Sequence, residues 1–565
     1  MKIITFLSKK LIVLAILIMA CVFTVSAADF MVDSICYNII GDNQVEVTKR
    51  DGYYSGEVII PETVVNDGIT YHVTRIGNYA FQSCSGLTLV GIPEGVTEIG
   101  NWAFSFCGNL ENVDMPNSLV SLGDAAFMSC NSFTSIHIPR NLAQIGYNTF
   151  SFLNNIANYT CSSLNTHFKA VGGVLYSKDM TTLVVYPPAA PATSFDIPGT
   201  VMTIHDYCFC NSTNLTAVNF PESVTYIGMN IFRNCSGIEE VDLPDGVTHM
   251  GMTVFGSCTS LKRVHLPASL DSLMSSTFSS CTQLTEVTIP RNVSFIDELC
   301  FLGDSNLKNV IFEDGSRLTW LGEYVFRGCS SLETVNLPNT LTSVGLGCFS
   351  DCRSLKTCHL GDNLSEIGSA IFWECNELTE SEVIGSVPNM KNIYVRCPKL
   401  KRVVLGDKNG TPGITTIENC GISMCKNLEY LELGASIDTL ETHALVELDS
   451  LKVLVCWAIV PPRCNDQWHS FDPDPQYFKA TVYVPKASLE AYRTAREWRD
   501  FPVIAAIEDV GDVNGDGKIN ISDVTELINM LLSGNYDREI YADVNLDGKI
   551  TITDVTALIN RLLSE

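Results

Sequence analysis

Phenylalanine returns on a fixed beat. Phe81, Phe104, Phe127 and Phe150 lie 23 residues apart, and after an interruption the series resumes at Phe209, Phe232, Phe255, Phe278 and Phe301. A 25-residue step reaches Phe326, Phe349 and Phe372 follow at 23, and Tyr394, Ile422 and Leu445 continue in degenerate form. A unit of this length cannot bury its apolar face alone, so neighbours must stack into a continuous core. The unit Leu321 to Pro338 reads L-G-E-Y-V-F-R-G-C-S-S-L-E-T-V-N-L-P. Leu332, Val335 and Leu337 suit an interior, while Glu333, Thr334 and Asn336 suit an outer face. Pro338 ends the strand because it has no N–H for a ladder. One solenoid from about Phe30 to Ile507 is the expectation, with Phe104, Phe127 and Phe255 in an internal column.

The recurring form Ala-Phe-x-x-Cys-x-x-Leu…Ile-Pro, over about Ile76 to Leu454, resembles the BspA-like leucine-rich repeats of bacterial surface proteins. The resemblance implies an α/β, β-rich leucine-rich-repeat solenoid of short strands and short helical turns. It divides the chain into an N-terminal β cap at 28–75, repeats at 76–456 and a C-terminal cap at 457–508. A β-hairpin insertion falls at about 155–200, around G-G-V-L-Y-S-K-D-M-T-T-L-V-V-Y-P-P. Caps cover the apolar ends and open strand edges that terminal repeats otherwise expose.

The chain has 22 cysteines. Cys84, Cys107, Cys130, Cys235, Cys258, Cys281, Cys329, Cys352 and Cys375 each follow the repeat aromatic by three residues, and Cys397 and Cys425 continue the column. Cys208, Cys300 and Cys348 stand just before the aromatic. Such regular placement reads as small, reduced core side chains rather than disulfides. Cys456 and Cys464, which bracket Pro461-Pro462 outside the repeat, are the best disulfide candidates.

Lys2, Lys9 and Lys10, the apolar run Leu11 to Phe23 and Val25-Ser26-Ala27 form a secretory signal over 1–27. Cys21 offers a rival reading as a lipoprotein cysteine. No later stretch reaches the length of a membrane span. The net charge of −27 argues against nucleic acid or anionic lipid as a partner. It suits an exported protein in calcium-rich surroundings.

The C-terminal end carries the most specific chemistry. Asp512 to Asp523 reads D-V-N-G-D-G-K-I-N-I-S-D, and Asp543 to Asp554 reads D-V-N-L-D-G-K-I-T-I-T-D. A twelve-residue calcium loop supplies oxygen from positions 1, 3, 5, 7, 9 and 12. Those positions are Asp512, Asn514, Asp516, the Lys518 carbonyl, Asn520 and Asp523 in the first loop. In the second they are Asp543, Asn545, Asp547, the Lys549 carbonyl, Thr551 and Asp554. Gly517 and Gly548 occupy the sharp turn at position 6. Each loop runs into a helical pattern, Val524, Leu527, Ile528, Leu531 and Leu532, then Val555, Leu558, Ile559, Leu562 and Leu563. Gly511–Gly534 and Ala542–Glu565 are identical at 17 of 24 positions.

A duplicated loop with an exiting helix and no clear entering helix before the first loop resembles the dockerin type I module, here at 509–565. The resemblance implies a small all-α module with two Ca2+ sites and a cohesin-type partner. Carried over position by position, it places partner contacts at Ile521, Ser522, Ile552 and Thr553. The blander alternative is a calcium-folded terminal cap.

No G-x-S-x-G, H-E-x-x-H or P-loop occurs, no carboxylate pair stands apart, and no catalytic residue is assigned. His137, His265 and His359 share an outward strand position but are separated by about 19 Å at ~4.8 Å per strand, too far to share a metal. The outward positions Asp114, His137, Asn219, Asp242, His265, Thr288, Asn336 and His359 hold no aromatic residue, which favours a protein ligand. The expectation is a secreted or cell-surface bacterial binding protein, adhesin-like and not an enzyme. The alternative is an accessory component of a cellulosome-like polysaccharide-degrading complex.

Overall fold

The computed structural model describes residues 28–361, 363–409, 413–472, 479–534, 539–546 and 549–564. The signal segment 1–27, Cys21, Asp547 and Gly548 lie outside the described residues. The chain forms two compact units, one up to Pro191 and one from Ala192 onward.

In the first unit the strands Ile35–Gly41 and Gln44–Thr48 pair antiparallel, and Gln44–Thr48 then pairs in parallel with Ile69–Ile76. From Ile69–Ile76 the ladder is parallel through Glu98–Ile99, Ser121–Leu122 and Gln144–Ile145, one short strand per repeat. A second parallel ladder runs Ser55–Ile59, Gly86–Gly91 and Asn112–Asp114. Between the two ladders the phenylalanine rings stack. Centroids are 4.9 Å apart for Phe81 and Phe104, 5.3 Å for Phe104 and Phe127, and 6.4 Å for Phe127 and Phe150. Tyr54 seals the open end of this column, its ring 4.6 Å from that of Phe81. The Tyr54 hydroxyl donates to the Thr48 carbonyl and accepts from the Cys36 N–H, so its polar end is satisfied where it is buried. Strands Phe168–Val171, Val174–Ser177 and Thr182–Val185 form an antiparallel meander inside the unit's C-terminal part.

The second unit repeats the plan. Its column runs from Phe209 through Phe232, Phe255, Phe278, Phe301, Phe326, Phe349 and Phe372 to Tyr394, with neighbouring centroids 5.2 to 5.8 Å apart. Phe372, Tyr394, Ile422 and Leu445 pair in register as a parallel ladder, so the degenerate copies keep the repeat's phase.

The aromatic segment is not a helical turn. The residues two before and two after each aromatic from Phe81 to Tyr394 have positive φ, as in Thr253 (56°) and Ser257 (61°) around Phe255. The N–H groups of Thr253, Phe255 and Ser257 all donate forward, to the carbonyls of Ser275, Thr277 and Ser279 in the next repeat. A helix directs its N–H groups back into its own turn. Here the alternating backbone spends them on the neighbouring repeat, which adds a third ladder to the solenoid wall.

At the C-terminal end, strands Val453–Cys456, Thr481–Val484 and Val503–Ala506 extend the sheet, and the helix Leu489–Thr494 covers the last turn. Beyond them, helices Ile521–Ser533 and Ile552–Ser564 pack around Val513, Val524, Leu527, Met530, Ala542, Val555 and Leu558. Among the described residues no helix is long and apolar enough to cross a membrane.

Candidate metal centre and binding faces

In the first loop the acceptors are drawn inward by its own backbone. Asp512 Oδ2 accepts from Gly517 N at 3.0 Å, Asn514 Oδ1 from Asp516 N at 2.9 Å, and Asp516 Oδ1 from Lys518 N at 2.9 Å. Asp523 is fully buried and accepts from Asn514 N at 3.1 Å and Asn520 N at 2.9 Å. Asn520 and Asp523 thereby cap the helix Ile521–Ser533 as a reciprocal capping box, which fixes the end of the loop to the start of the helix. Gly515 and Gly517 take φ of 73° and 82°, left-handed values that a glycine reaches without strain.

The second loop repeats these bonds where it is described. Asp554, fully buried, accepts from Asn545 N at 3.1 Å and Thr551 N at 2.8 Å. Asp543 is also buried. Asn545 Nδ2 donates to Thr553 Oγ1, as Asn514 Nδ2 donates to Ser522 Oγ in the first loop.

The donor set fits a hard cation in one decisive respect. Asp512 Oδ1 is buried and receives no hydrogen bond. An orphaned carboxylate oxygen costs free energy unless something positive meets it. Every side-chain donor assigned to these loops is a carboxylate, amide or hydroxyl oxygen, the chemistry calcium prefers. Among the described residues no three Asp, Glu, His or Cys side chains converge as a ready metal cluster. Several loop carboxylates are turned to backbone N–H groups.

Ile521 and Ile552 are 71% and 68% exposed, and Ser522 and Thr553 are exposed beside them. The helices add two exposed apolar residues per half from the helical pattern. Leu532 and Leu563 stand at 82% and 81% exposure, with Ile528 and Ile559 partly exposed. Each half thus presents the same stripe.

On the solenoid, the outward positions Asp114, His137, Asn219, Asp242, His265, Thr288, Asn336 and His359 are all exposed. The three histidines are not brought together: His137 pairs with Thr160, His265 with Asp242, and His359 with Asn336 and Glu382. Ion pairs cross between repeats here, Lys262 to Glu239 at 2.8 Å and Arg263 to Glu240 at 2.7 Å. A different outer column escaped the sequence reading. Tyr226 stacks on His249 with centroids 4.5 Å apart, and Phe295 lies 6.2 Å from Trp320. These residues open the two-residue strands Tyr226–Ile227, His249–Met250, Phe295–Ile296 and Trp320–Leu321, so the signal was the residue before each Ile, Met or Leu of those strands.

All 21 described cysteines are free thiols, and the column lies in the core. Burial pushes the Cys210 and Cys348 thiols up to about 12. Cys456 and Cys464 sit on different ladders, opposite Leu433 and Leu440. The Cys456 sulfur accepts from the Tyr492 hydroxyl at 3.2 Å and is not disulfide-linked.

Six copies of the BspA type leucine rich repeat region match the chain over residues 64–171, 189–308 and 296–411. The chain belongs to the BspA-type leucine-rich-repeat family. Residues 510–563 match the dockerin type I domain. Among solved structures, the BspA-type chain is similar to a leucine-rich repeat protein from Bacteroides ovatus, with 22% identity, 76% of this chain and 94% of that one covered, and a TM-score of 0.37. A leucine-rich repeat protein from Eubacterium ventriosum gives 24% identity, 57% and 93% coverage, and a TM-score of 0.46. A leucine rich cell surface protein from Faecalibacterium prausnitzii gives 21% identity, 60% and 94% coverage, and a TM-score of 0.34. No curated protein matches the chain.

Proposed function

We propose that this BspA-type protein is an exported, non-enzymatic binding protein: the solenoid's polar strand face recognises a protein ligand, and the dockerin tail docks a cohesin-type partner when calcium is bound. The buried, unpartnered Asp512 oxygen inside a duplicated acidic loop is the observation that carries the calcium half of this reading. Asp512, Asn514, Asp516, the Lys518 carbonyl, Asn520 and Asp523 would hold one ion. Asp543, Asn545, Asp547, the Lys549 carbonyl, Thr551 and Asp554 would hold the other. Bound calcium would neutralise carboxylates that otherwise repel one another and so fix the loop that starts each helix. Ile521, Ser522, Ile552 and Thr553, with Leu532 and Leu563, supply the docking stripes. The segment 1–27 directs export to the cell surface. Binding of the full chain to an immobilised type I cohesin, with calcium and then with chelator, tests the tail. Calcium-dependent retention supports the reading, and equal retention under both conditions contradicts it.

A second reading, an accessory component of a polysaccharide-degrading complex, is favoured by the row Tyr226, His249, Phe295 and Trp320. Flat aromatic faces suit the C–H faces of sugar rings. Retardation of the full chain in gels containing soluble glucan or xylan, lost in Trp320→Ala, would support it.

A further inference from the structure

The outward strand column changes character towards the C-terminal end. Paired positions run Glu382, Val404, Glu432, Val455, Tyr483 and Ala505. Val455, Tyr483 and Ala505 are 1%, 2% and 4% exposed, whereas His359 and the outward positions before it are exposed. An outward residue on a sheet is buried only when something covers it. The cover here is made by Trp457, by Ile507 and Val510 of the connecting segment, and by Leu546 of the second acidic loop. Glu432 does not interrupt the patch, because its carboxylate accepts from the Tyr430 hydroxyl at 2.6 Å and from the Trp457 indole N–H at 2.8 Å.

Leu546 occupies position 4 of its loop, where the first loop has Gly515. Both take left-handed backbone, φ 54° for Leu546 and 73° for Gly515. Glycine adopts that conformation freely and leucine does so under strain. The two halves agree at 17 of 24 positions, yet they differ at Leu546, an apolar loop residue that packs on the solenoid. The tail otherwise has its own core, so Leu546 is where the loop joins a second one.

We propose that the last strands of the solenoid form a seat for the second loop, that Leu546 is its anchor, and that calcium in this loop latches the tail in one orientation. The stripes at Ile521 and Ile552 stay exposed in that orientation, so the latch sets how the tail is presented without occupying its docking faces. The proposal rests on the calcium reading given under Proposed function.

Hydroxyl-radical footprinting of the full chain reads the seat through Trp457 and Tyr483. Hydrogen exchange over the helices Ile521–Ser533 and Ile552–Ser564 reads the order of the tail. In the native chain calcium should slow oxidation of Trp457 and Tyr483 severalfold and protect both helices. In Leu546→Gly, and equally in Leu546→Asn, which also tolerates left-handed backbone, the helices should keep their calcium-dependent protection. Trp457 and Tyr483 should then oxidise as fast as they do in chelator. If calcium protects the helices but leaves Tyr483 oxidation unchanged in the native chain, or if both variants keep the native footprint, the latch is wrong and the calcium reading stands. If calcium protects neither helix, both fall together.

Discussion

The Cys258 thiol donates a 3.0 Å hydrogen bond to the carbonyl oxygen of Phe232, the aromatic of the preceding repeat. The same bond links Cys235 to Phe209 at 2.9 Å and Cys281 to Phe255 at 3.0 Å. The cysteine column is therefore more than a set of small core side chains. Each thiol gives a second donor to a carbonyl that already accepts from the cysteine N–H of its own repeat, as Phe232 does from Cys235 and Phe255 from Cys258.

Replacing Cys258 with alanine should cost about 1–2 kcal/mol, the sum of a small cavity and a lost weak hydrogen bond. Aspartate at the same place should destabilise more than alanine, and more at pH 8 than at pH 5, because its carboxyl must be buried either protonated or as a charge without a partner. Urea unfolding of the two variants measures both. Burial raises the Cys258 thiol far above its ordinary value, so native protein should resist alkylation there at pH 8. A disulfide between Cys235 and Cys258 in mass spectrometry would contradict the reduced column.

Asp304 shows what happens when the column carries a carboxyl. It stands three residues after Phe301, is fully buried, and accepts from the Cys281 N–H at 2.8 Å through one oxygen while the other has no partner. Burial pushes its pKa well above the ordinary carboxylate range. The folded state thus holds a proton that the unfolded chain releases near pH 4. This contribution to stability is present below the unfolded pKa and is lost as pH rises towards the folded one. Asp304→Cys should be more stable than the native chain at pH 8, and its advantage should shrink on going to pH 5. Urea unfolding at the two pH values checks the sign, and an advantage independent of pH would count against it.

Phe255 lies between Phe232 and Phe278, with centroids 5.6 and 5.3 Å away. Phe255→Ala should cost about 3–5 kcal/mol. Because each repeat touches only its neighbours, proteolysis should cut first near that repeat and leave distant repeats protected.

The repeat's phase, its buried faces and the place of every column cysteine were legible because a 23-residue beat admits few packings. The conformation of the aromatic segment was not. The resemblance implied short helical turns without placing them, and around Phe255 the N–H groups bond forward to the next repeat, a choice that only stacking can make. In the tail, the loop residues and the buried Val524 and Leu527 followed from spacing, whereas the exposure of Leu532 did not, since the apolar stripe is wider than the small core it faces. Leu546 on the seat was hidden for another reason: a contact with Tyr483's cluster, distant in sequence, leaves no local period.

Calcium titration of the full chain by calorimetry addresses the central claim most directly. Two sites should be seen in the native chain, with Asp512→Ala and Asp543→Ala each removing one. At a hundredfold excess over Kd, calcium should stabilise the tail by about 3 kcal/mol. No calcium-linked heat at millimolar concentrations, or two sites persisting in Asp512→Ala, would contradict the account.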